Sequence, residues 1–186
     1  MITVLPEARS LNRYAALLEE MITDRNTPAN SLIVAHNDPF MISRLTGARE
    51  KEGTVVLPVN QADWACLNQI VAIAVAAGIS DILLTGHSHA LENATTDVAE
   101  ANCQSAPEHN VGKTTNRLLE GARRHAAMTA ASKRHFIDQL SGLLTDDELR
   151  LREARSNVRI YPLFYIAEGQ RFLIYDTNSD SFQPLT

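Results

Sequence analysis

SLIVAHND, residues 31–38, decides the fold. Ser31 to Ala35 form a short run, rich in β-branched and apolar residues and apolar on both faces, as a strand inside a parallel sheet must be. The run turns polar at His36, Asn37 and Asp38, so a buried strand would deliver three polar side chains at its carboxyl end. DILLTGHSHA, residues 81–90, repeats the pattern. Its strand, 81–86, hands over to His87, Ser88 and His89. In open α/β sheets ligands bind beyond the carboxyl ends of the strands, so His36, Asp38, His87 and His89 are expected to face one crevice.

The surrounding chain supplies the rest of an α/β pattern. TVVLPV at 54–59 predicts a third strand, followed by helical spacing from Ala62 to Ala77 that stops at Gly78, a helix-ending glycine. Apolar positions Leu11, Tyr14, Ala15, Leu17, Leu18 and Met21, with Ser10 as cap, predict an N-terminal amphipathic arm over about 8–24. Residues 92–153 read as helical, with breaks near Ser105–Asn110 and Gly142, and Thr145 with Glu148 forms a capping box for a last short helix. VRIYPLFYI at 158–166 and RFLIYD at 171–176, joined through Glu168 and Gly169, predict a closing hairpin. The expectation is one α/β domain over 1–186: a mainly parallel sheet of four strands plus an antiparallel edge strand, with helices on both faces.

Composition narrows the function classes. Hydrophobic residues make up 45% of the 186 residues, which suits a packed core and not a disordered chain. Lys+Arg number 17 against Asp+Glu 22, a net charge of -5, so no cationic excess exists to neutralise nucleic acid. Cys66 and Cys103 have no paired spacing and fit reduced thiols. The start has no leader-like apolar run, and no stretch reaches the roughly 20 apolar residues of a membrane span, so a cytoplasmic protein with no membrane partner is expected. His109, His125 and His135 fall in a loop and on helices and read as structural or surface residues. No motif marks an organic cofactor.

His36-Asn37-Asp38-Pro39-Phe40 and Gly86-His87-Ser88-His89-Ala90 resemble, in order and strand context, the Cys-x-Asp-x-Arg and Gly-His-x-x-Cys motifs of the β-carbonic anhydrases. The closing YDTNSDSF at 175–182 resembles that family's Tyr-Asp-x-x-Thr-Gly edge strand. The resemblance implies zinc held by two thiolates and one histidine, an Asp–Arg dyad ordering the site, and protomers paired through the N-terminal helix and the sheet edge, hence at least a homodimer. The departures are as informative. The first thiolate becomes His36, the histidine stays as His87, the second thiolate becomes Ala90, and the dyad keeps Asp38 while its Arg becomes Phe40. The family's Arg-Asn-Ala-Gly-Asn stretch reads Pro58-Val59-Asn60-Gln61-Ala62, leaving Asn60 and Gln61, with Phe40, Ser88 and Ala90, to line a reshaped pocket.

Three readings follow from the resemblance. In the first, the metal site is degenerate, ordinary CO2 hydration is lost, and the fold serves assembly or interaction with a protein partner. In the second, His36, Asp38 and His87 hold zinc with a position open for water, since in the family's inactive form that Asp itself binds the metal; Asp38 and His89 would be the catalytic residues, His89 as a proton shuttle or an alternative ligand, and CO2 hydration or hydrolysis of a small molecule would follow. In the third, Ser88, His89 and helix-terminal amides bind an anion without metal.

Overall fold

The runs apolar on both faces take the middle of the sheet. The structure is a computed structural model that describes residues 2–4, 29–47, 53–59, 67–89, 111–145 and 158–185, with backbone alone at 2–4 and 111–118. Within them lie strands β1 (Ile2–Val4), β2 (Ser31–His36), β3 (Thr54–Val59), β4 (Asp81–His87), β5 (Arg159–Ile166), β6 (Arg171–Asp176) and β7 (Ser181–Pro184), and helices α1 (Pro39–Gly47), α2 (Leu67–Ala76) and α3 (Val111–Leu144). The strands form one sheet in the order β1-β3-β2-β4-β5-β6-β7. The first five in that order pair in parallel, and β6 and β7 are antiparallel.

The mixed α/β architecture is the one expected, with a larger strand count. Five strands paired in parallel and two joined by antiparallel pairing replace four and one, because β1 and β7 extend the two edges, and β6 alone runs against the rest. Both additions are weak in sequence. β1 is three residues long, and Phe182 is the sole large apolar side chain of β7. The N-terminal arm, the Thr145–Glu148 capping box, Cys66, Cys103 and His109 lie wholly or partly outside the described residues. The break read near Gly142 falls slightly later, since α3 continues to Leu144 and the Thr145 hydroxyl donates back to the Ser141 carbonyl at 2.8 Å.

Period-two alternation sends each strand's side chains to two separate cores. Leu32, Val34, Val55, Leu57, Ile82, Leu84 and Phe164 pack with α2 and with Phe136, Leu140 and Leu143 of α3. Ile33, Ala35, Val56, Leu83, Leu163 and Tyr165 face the other way, against Met41 and Leu45 of α1. Helices therefore cover both faces. α2 ends as its glycine predicts: Gly78 takes φ +86°, its amide donates to Val75, and the Ile79 amide reaches Ala74, which satisfies the last carbonyls in a Schellman turn.

Candidate functional site

Asp38 is placed by the helix it starts. Its carbonyl accepts the first helical bond from Ile42, and its Oδ1 accepts the Phe40 and Met41 amides at 2.8 and 3.3 Å. This is an N-cap, with Pro39 at the position where a missing N–H costs nothing. The other carboxylate oxygen, Oδ2, is left to face the end of β4, where His87 Nε2 meets it at 2.8 Å. The His36 ring lies beside that pair, its centroid 5.7 Å from that of His87. Asp38 and His87, from the ends of neighbouring strands, thus meet directly, and His36 stands next to them.

The hydrogen-bond network assigns the His87 proton. The His89 backbone N–H donates to His87 Nδ1 at 3.0 Å, so Nδ1 presents a lone pair. The ring proton is then on Nε2, where it donates to Asp38. Both nitrogens are committed inside the protein, and His87 is buried. Burial alone would raise the Asp38 carboxyl, but the bonds from His87, Phe40 and Met41 outweigh it and hold the group below the usual range. Burial, reinforced by His87 and opposed by Asp38, pushes His36 down from 6.5 to about 4.

The His36 shift fixes a pH dependence. The unfolded chain takes up this proton near pH 6.5 while the folded one resists until about 4, so acidification between those values favours unfolding. The loss is expected to reach on the order of 2–3 kcal/mol. His36→Gln should flatten this part of the curve when unfolding free energy is measured at pH 7 and 4.5, and a wild type already as flat as the variant would refute the assignment.

A second group of side chains adjoins the first. His89, in the turn after β4, bonds through Nε2 to Glu168 Oε1 at 2.8 Å, and His125 Nδ1 on α3 lies 3.4 Å from the same oxygen. Ring centroids step from His87 to His89 at 5.6 Å and from His89 to His125 at 5.9 Å. Ser88 braces this group. It is fully buried, its hydroxyl donates to Glu168 Oε2 at 3.3 Å and accepts the Ala167 amide, and its carbonyl accepts from Ser132 of α3. Burial disfavours the Glu168 charge, yet its own backbone amide and the two imidazoles prevail and pull it from 4.5 to about 2. His89, His125 and Glu168 are the group of metal-type donors found among the described residues whose ligand atoms all lie within 4.8 Å of one another.

Of the pocket residues read from sequence, Phe40 and Ser88 are among the described residues. Phe40 stands on the first turn of α1 with 75% of its surface exposed, and Ser88 is packed inside. Asn60, Gln61 and Ala90 lie outside the described residues. Two participants escaped the sequence reading: His125, taken for a surface residue, and Glu168, read only as part of a turn. One signal existed for Glu168, because it follows β5, and a strand parallel to β4 must end beside His89.

With strand order and site in view, the architecture can be compared. The β-carbonic anhydrase CcaA superposes with a TM-score of 0.54 at 16% identity, over 94% of this chain and 91% of its own. The chain has the β-carbonic anhydrase fold. A tetrameric β-carbonic anhydrase of the ascomycete Sordaria macrospora gives 0.51 at 14% identity, over 88% and 93%, and the β-carbonic anhydrase CafA of Aspergillus fumigatus gives 0.51 at 12%, over 89% and 86%. No family model matches the chain, and no curated protein matches it in sequence. Among the described residues no helix is long and apolar enough to cross a membrane.

Zinc is the metal that this fold implies. The donors at the motif positions fit it poorly: the two thiolate positions hold His36 and Ala90, and His87 turns a proton, not a lone pair, toward the crevice.

Proposed function

We propose that this β-carbonic anhydrase-fold protein lacks ordinary CO2 hydration at its motif site and serves as a homo-oligomeric assembly or interaction protein. One observation carries the reading: both His87 nitrogens are bonded within the protein, with the Nε2 proton given to Asp38. A hydrogen-bonded acid–imidazole pair needs no ion to be satisfied. Assembly is supported by the tetrameric relative from Sordaria macrospora. The pair of unspaced cysteines, which fits reduced thiols, supports a cytoplasmic protein.

A second reading is favoured by the placement of the His36 ring beside the Asp38–His87 pair, its centroid 5.7 Å from that of His87. Here the three hold zinc in a divergent carbonic anhydrase or small-molecule hydrolase. It requires His87 to move its proton to Nδ1 and surrender the His89 amide.

Stopped-flow CO2 hydration separates the two. The full chain, with and without one equivalent of zinc, is expected to leave the buffer rate unchanged within about twofold, whereas zinc hydroxide centres can turn over near 10⁶ s⁻¹. Light scattering is expected to give at least twice the 20.5 kDa protomer mass. A zinc-dependent acceleration that His36→Gln or His87→Asn removes would overturn the first reading and establish the second.

A further inference from the structure

We propose that His89, His125 and Glu168 form a metal site of their own, separate from the Asp38–His87 pair, for a divalent first-row transition ion of the zinc class. The residues come from three elements far apart in sequence: the turn after β4, the middle of α3 and the β5–β6 turn. Two imidazoles and one carboxylate are the donor set of zinc and related centres that keep a position open. Two nitrogen donors of three disfavour magnesium and calcium, which take oxygen.

The ligand atoms lie near the spacing of a loaded site, and an ion would take the place of the His89 Nε2 proton now given to Glu168, the ring proton passing to Nδ1. The three ligand atoms lie within 4.8 Å of one another, while donors around one zinc ion, at bonds of about 2.0–2.2 Å, lie at most about 4 Å apart. The side chains are 32%, 55% and 41% exposed for His89, His125 and Glu168, so a movement on the order of one ångström is open to them, and water can reach a fourth position. The carboxylate is already positioned. Ser88 holds Glu168 Oε2, which turns Oε1 toward both imidazoles, as hydrogen-bonded partners behind metal ligands do. Ser132 ties α3 to the same Ser88, so the helix that brings His125 is fixed to the turn that brings His89. With Glu168 ionised, the site offers one negative charge to a dication. A bound ion would clip α3 to the sheet's carboxyl end.

The test is titration of the metal-stripped full chain with Co²⁺, read by its visible d–d absorption, followed by displacement with Zn²⁺. One equivalent is expected to bind and to raise the melting temperature, because an ion that binds only the folded state stabilises it. His125→Asn and Glu168→Gln, both at exposed positions, are each expected to weaken binding at least tenfold while the circular dichroism spectrum stays unchanged. Binding as tight in those variants as in the wild type would overturn the proposal. So would a wild type that binds no equivalent, an outcome that leaves the assembly reading standing. Binding lost in His36→Gln and kept in His125→Asn would overturn the proposal and, with it, the view that the motif site is metal-free.

Discussion

Gly86→Ala is expected to cost about 3 kcal/mol of folding stability, in the upper part of the range for overpacking a core. Gly86 sits in β4 one residue before His87, paired with Phe164 of β5. A Cβ built there would come within 2.8 Å of Phe136 Cδ2 and Cγ and of Phe164 Cδ2. Its backbone is not in the left-handed region, so the constraint is purely steric. The obstructing atoms belong to buried rings held at a centroid distance of 6.0 Å, near the root of each side chain, where a rotamer change gives no relief. Something larger must move: α3 away from the sheet, or β4 away from β5. Urea denaturation gives the number, and a loss below about 1 kcal/mol would show that the packing yields easily. Phe136→Leu in the Gly86→Ala background should restore part of the loss, since the two changes share one space.

Asp38→Ala is the second large effect, expected at about 2–4 kcal/mol. One substitution removes two interactions. The N-cap bonds to Phe40 and Met41 are worth about 1 kcal/mol, with a range of 0.5–2. Loss of Oδ2 leaves the buried His87 proton without its acceptor, for a further 1–3 kcal/mol or so. Asp38→Asn separates the contributions, because its carbonyl oxygen can still cap the helix or accept from His87, though not with a charge. It should retain roughly half the stability that Ala loses. Thermal and urea unfolding of both variants check this, and equal losses would mean that the carboxylate's two roles are not what stabilises the site.

Much of the architecture was legible because burial on both faces leaves a plain mark. Runs 31–35, 54–59 and 81–86 hold consecutive apolar residues at 32–35, 55–59 and 82–84, without the polar alternation of a half-exposed strand, and all three occupy the sheet's interior. The meeting of Asp38 with His87 was legible for the same reason, since parallel neighbours end at the same edge. What could not be read was the state of that site. The proton position on His87 depends on the His89 backbone amide, a contact that no residue spacing announces. The His89–His125–Glu168 group was hidden because its members, at 89, 125 and 168, are joined solely by tertiary packing. His125 in particular lies on a stretch of α3 that is exposed around its circumference from 119 to 127, and so resembles any solvated helix residue. The extra edge strands were missed because three residues at β1 and a single large apolar side chain in β7 fall below what periodicity can detect.

Those two edges limit how copies of the chain can join. An unprotected border of a sheet invites another chain to continue the ladder, the route to fibrous aggregation. Here one border is three residues long, and the other ends at Pro184, which has no N–H to offer. Growth by strand addition is therefore disfavoured at both of these described borders, so the sheet carries its own guard against continuing into a neighbouring molecule.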